Sequence, residues 1–95
     1  MKSEEKQILR DITKIDSGIS YRYVLSVKKS RKVTSFSLPL YSIEAFMTKE
    51  QKTTSHLLED VFADGGKAIV FFEMLVNGLA SPIDLPYILE DKLTV

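Results

Sequence analysis

The sequence predicts a small α+β fold: an antiparallel sheet founded on a β-hairpin, with a candidate third strand, packed by two C-terminal helices and preceded by a short N-terminal helix. Three observations lead there. Ile19, Tyr21, Tyr23, Leu25 and Val27 alternate with Ser20, Arg22, Val24 and Ser26, the period-2 pattern of a half-buried strand rich in β-branched and aromatic residues. Residues 33–40 alternate again, with Thr34, Phe36, Leu38 and Leu40 on one side. An Asp-led apolar run over residues 64–79 then ends at a glycine and is followed by Ser81-Pro82.

From the N-terminus, residues 3–16 read as an amphipathic helix. Ser3 caps it, Glu4 and Glu5 favour its first turn, and Ile8, Leu9, Ile12 and Ile15 form an apolar stripe. Asp16-Ser17-Gly18 is its stop. The hairpin follows, with Lys28-Lys-Ser-Arg-Lys32 as a basic connection and Pro39 marking an edge or a strand end. Residues 41–52 fit either a helical turn or a continued edge. Residues 54–62 fit a third strand or a short helix capped by Ser55, and Thr53, Thr54, Val61 and Phe62 favour the strand.

Asp64 is the expected N-cap of the next helix, whose Ile69, Val70, Phe71, Phe72, Met74, Leu75, Val76 and Leu79 make it apolar almost all round, so enclosed on most sides. Gly78 is expected to end it in a left-handed conformation. Ser81 opens the last element, in which Pro86 delays regular helix to about Asp84, and Leu85, Ile88, Leu89 and Leu93 form the buried stripe.

A chain of 95 residues allows one domain, here 1–95, with residues 1–18 as a helical arm and 19–93 as the core. It has no cysteine, which excludes disulfides, thiol catalysis and Cys-based zinc sites and suits a reducing, cytoplasmic setting. Met1-Lys-Ser-Glu-Glu-Lys-Gln7 has no apolar core behind its charges, unlike a secretion signal, and the longest apolar stretch, residues 68–72, is far short of a membrane span. Net charge is zero, yet residues 1–35 carry nine Lys/Arg against four acids, and residues 36–95 four against nine. Such halves either present a polyanion-binding face or attract each other, within a chain or across a dimer.

The segment Tyr21-Arg-Tyr-Val-Leu25 and the tail residues Val61, Asp64, Leu75, Leu79, Pro82, Leu85, Ile88, Glu90, Asp91 and Leu93 resemble a family of small clostridial and related Firmicutes proteins carrying a domain of unknown function. The resemblance spans residues 19–93 and departs from the family pattern at Gly65-Gly66, at Pro86 and in the middle of the chain. It implies a three-stranded antiparallel sheet with two helices on one face, and brings no catalytic residue or cofactor.

Candidate chemistry is sparse. His56, the single histidine, has only Glu59 and Asp60 near it in sequence, a poor set for zinc, and no motif frames a nucleophilic Ser. Asp64-Gly-Gly-Lys67 lacks the first Gly and the Lys-Ser/Thr ending of a phosphate loop, so a capping turn is expected. Glu59-Asp60 and Glu90-Asp91 are expected to be solvated surface. No enzyme activity, cofactor, metal or small-molecule substrate is expected. Arg22, Lys28, Lys29, Arg31 and Lys32, beside Tyr21, Tyr23 and Phe36, form the one candidate binding cluster, a basic hairpin that could meet DNA as a wing. The primary expectation is a non-enzymatic protein-interaction or regulatory module that self-associates as a homodimer, touching through the basic tip and the N-terminal helix. DNA binding is the alternative.

Overall fold

The computed structural model describes residues 6–29 and 39–93. Four strands of 11 residues each, β1 (Lys6–Asp16), β2 (Ile19–Lys29), β3 (Pro39–Lys49) and β4 (Lys52–Phe62), form an antiparallel meander in the order β1-β2-β3-β4. Helix α1 (Gly65–Asn77), a 3-10 turn (Pro82–Asp84) and helix α2 (Leu85–Leu93) follow.

The expected N-terminal helix is instead β1, and the sheet has four strands rather than a hairpin plus a third. The physical reason is a bulge. The β1–β2 register shifts between Ile8 and Arg10, so Leu9 and Ile12, three positions apart, both pack against the core. Ile8 and Ile15 stay exposed, at 59% and 75%. A bulged strand thus imitates the helical stripe. Ser17 and Gly18, with φ of 52° and 80°, make the tight two-residue turn that returns the chain into β2, where a helix stop was expected. The presumed arm is therefore one wall of the sheet.

The β2–β3 hairpin exists, with Val27 opposite Tyr41 and Tyr23 opposite Ala45. The strand expected over residues 33–40 lies mostly outside the described residues, and its place as partner of β2 is taken by the ambiguous segment from Pro39. Residues 52–62 are a strand, joined to β3 through Glu50 and Gln51 at φ of 52° and 70°.

Tyr23 and Leu25 of β2, Ile43 and Ala45 of β3 and Leu58 of β4 share one sheet face and meet Ala68, Phe71, Phe72, Leu75 and Val76 of α1, with Leu85 of α2. Asp64 caps α1 as expected, its Oδ1 accepting from the Lys67 backbone N–H at 3.1 Å. Gly65 admits the Tyr41 side chain, because a Cβ there would lie 2.6 Å from the Tyr41 hydroxyl. The left-handed residue at the end of α1 is Leu79 (φ 51°), not Gly78 (φ −92°): Leu79 N–H donates to Val76 O and Ala80 N–H to Leu75 O, the paired bonds of a Schellman ending. Pro82 is buried, and Pro86 sits in the first turn of α2, where its missing N–H does no harm. The Leu93 side chain lies outside the described residues.

An 11-residue strand extends about 35 Å, whereas a 13-residue helix extends about 20 Å. The helical layer therefore cannot cover the sheet along its length, and Lys52–Leu57 of β4 are all exposed. The opposite sheet face carries no helix from the described residues.

Candidate functional site

The helix-free face is built from the alternate residues of each strand, which cross-strand pairing aligns into rows: Thr13, Arg22, Phe46 and Ser55; then Asp11, Val24, Glu44 and Leu57. Arg22 sits at the centre of this face rather than at a hairpin tip. Its Nε and Nη2 donate to the two Asp11 carboxylate oxygens at 2.9 and 2.7 Å, and its guanidinium lies 5.5 Å from the Phe46 ring centroid. The hydrogen bond from Arg22, reinforced by its charge, holds the Asp11 carboxyl below the usual carboxylate range, and Asp11 in turn raises Arg22.

Lys28 lies on the same face near the other end of β2. Its Nζ is 3.4 Å from Asp60 Oδ2 and 3.9 Å from Glu59 Oε2, and only 18% of its side chain is exposed. Asp60, at φ 55°, belongs to a bulge opposite Ser42, whose hydroxyl accepts from the Asp60 N–H at 2.9 Å. Lys29 is exposed, while Arg31 and Lys32 lie outside the described residues. Of the described members of the expected cluster, Arg22 stands apart from Lys28 and Lys29. Arg22 and Lys28 are six residues apart on an extended strand, about 20 Å, and each is already held by carboxylates.

The other candidates are spread over separate elements. His56 is exposed on the face of β4 that carries Leu58, beyond the helices. Asp64 is engaged in capping α1, and Glu90 and Asp91 are exposed on α2. Among the described residues no three His, Asp or Glu side chains gather as a metal site would require. Among the described residues Tyr23 is the one strongly shifted group: burial, with a smaller contribution from Tyr21, pushes its phenol up to about 12. No described helix is long and apolar enough to cross a membrane.

A model described as "Family of unknown function (DUF6514)" matches residues 3–95. The chain belongs to that family. No curated protein and no solved structure matches it. The match includes β1, which the resemblance over residues 19–93 left out, and its description names no site.

Two surfaces escaped the sequence reading. A groove of about 510 Å³ runs along α1, between Phe62 and the helix residues Lys67, Val70, Phe71 and Met74. Phe62 and Phe71 meet at its base, ring centroids 5.4 Å apart. Val70, 66% exposed, marks the side on which α1 is open. The second surface is the outer edge of β4, which no other described strand covers. Its signal was available in Thr53-Thr-Ser-His-Leu-Leu58, which has no charge and no proline, but that run gains meaning only once β4 is known to be an edge strand.

Proposed function

We propose that the protein is a cytoplasmic, non-enzymatic interaction module of Firmicutes bacteria that acts by self-association as a homodimer. The observation that carries this reading is the edge strand β4, which among the described residues pairs only with β3 while Lys52–Leu57 stand exposed on both sides of the sheet. Unpaired strand edges present rows of backbone donors and acceptors that bind other strands unless they are guarded. The exposed apolar residues Ile8, Ile15, Val70 and Tyr87 add further contact area. The absence of cysteine supports the cytoplasmic assignment, and the likeness of the tail to clostridial proteins supports the source.

The nucleic-acid alternative draws less support. Phosphate contacts need cations free to release counterions. Arg22 and Lys28 already face Asp11 and Asp60 at 2.7 and 3.4 Å.

Size-exclusion chromatography with multi-angle light scattering, run across a wide concentration series, tests the reading. A mass rising to twice that of the 10.8 kDa chain is expected. A monomer at every concentration overturns it.

A further inference from the structure

We infer that β4 pairs antiparallel with β4 of a second copy about a two-fold axis at His56, joining two four-stranded sheets into one of eight strands. This rests on the self-association reading and names the surface that performs it.

The sheet has two edges, and they differ. The β1 edge is guarded twice: by the bulge between Ile8 and Arg10, and by Lys6, Arg10, Asp11, Lys14 and Asp16 spread along its length. On β4, by contrast, Thr53–Leu58 carries no charge, no proline and no register break against β3 from Lys49↔Lys52 to Ile43↔Leu58. A regular, uncharged edge is a template for strand addition.

The charges that bound this stretch choose the occupant. Lys52 closes one end, and Glu59 and Asp60 close the other. A parallel copy would set like charge beside like at both ends. An antiparallel copy sets Lys52 of each chain beside the acidic end of its partner, and does so twice, because an isologous contact repeats every interaction.

Symmetry then restricts the register. A two-fold axis normal to the sheet keeps each face on its own side, so paired residues must point the same way and the axis must pass through one residue. Centring on Ser55 would bring Lys52 opposite the partner's Leu58 on the helix-bearing face, a charge against an apolar side chain. Centring on His56 pairs Thr54 with Leu58, Ser55 with Leu57 and Thr53 with Glu59, so that no charge meets an apolar side chain or a like charge. The second arrangement is the complementary one.

The lack of native cysteine makes the test direct. Single-cysteine variants His56→Cys, Ser55→Cys and Ile15→Cys are oxidised mildly with oxidised glutathione and resolved on non-reducing gels, with light scattering in parallel. All three positions are exposed, so the substitutions leave the core intact. Directly opposed residues of an antiparallel pair have Cα atoms about 4.5–5.5 Å apart, within disulfide reach. His56→Cys is therefore expected to form covalent dimers at least several-fold faster than the other two. Faster cross-linking of Ser55→Cys overturns the register, and faster cross-linking of Ile15→Cys overturns the choice of edge. A dimer by light scattering in which neither β4 cysteine cross-links removes this interface while self-association stands. A monomer throughout removes both.

Discussion

The Tyr23 hydroxyl donates a 2.7 Å hydrogen bond to the Ala80 carbonyl, tying the second strand to the residue where the chain leaves α1. Tyr23 is fully buried and pairs with Ile12 on one side and Ala45 on the other, so this bond fixes the helical layer to the middle of the sheet. Tyr23→Phe keeps the ring and removes the donor, leaving the carbonyl without this partner. A loss of about 1–2 kcal/mol in urea denaturation is expected. The phenol is bonded in its neutral form, and its folded pKa of about 12 lies above the ordinary value of 10.0. Its contribution is therefore fully present below the ordinary value and is lost as pH rises through the folded one. The Tyr23→Phe variant should lack that alkaline step.

Gly65 and Tyr41 are coupled through space. A Cβ on residue 65 would meet the Tyr41 hydroxyl at 2.6 Å and its Cζ at 3.1 Å. Gly65→Ala should therefore destabilise, despite alanine's advantage of about 0.5–1 kcal/mol within a helix. In a Tyr41→Phe background the same change should become less harmful, and a double-mutant cycle measures the difference.

The β3–β4 turn holds two side-chain-bearing residues, Glu50 and Gln51, in the left-handed region. Asn-Gly suits such a turn far better. Glu50→Asn/Gln51→Gly should add about 1–2 kcal/mol, visible as a higher melting temperature.

Asp11 and Arg22 cross two strands in full view of solvent. The depressed Asp11 pKa means that their bond contributes above the unfolded carboxylate value and fades as pH falls through the folded one. Asp11→Asn should remove that part of the acid-side loss of stability. The effect at neutral pH should be small and should shrink in high salt, as denaturation at two ionic strengths will report.

Legibility in the sequence followed burial. Residues 19–27 declared β2 because their alternation matches a strand covered on one face, and residues 64–79 declared α1 because Asp64 caps a run that supplies Phe71, Phe72 and Leu75 to the core. β1 misled because its bulge puts Leu9 and Ile12 on one face and leaves Ile8 and Ile15 in water. β4 was faint because, within Lys52–Asp60, Leu58 alone is buried. The ending of α1 shifted by one residue, since the Schellman bonds place Leu79 where glycine was expected. The basic residues were legible as charges, but not their partners: Asp11 lies 11 positions before Arg22, and Asp60 reaches Lys28 only across β3. Edge position is likewise a property of the whole sheet, which no local window contains.

Amide hydrogen exchange along the two edge strands, followed as a function of protein concentration, tests the central claim most directly. Alternate amides of Thr53–Leu58 should gain protection as concentration rises, while the outward amides of Lys6–Asp16 continue to exchange quickly. Equal and concentration-independent exchange on both edges would contradict the account.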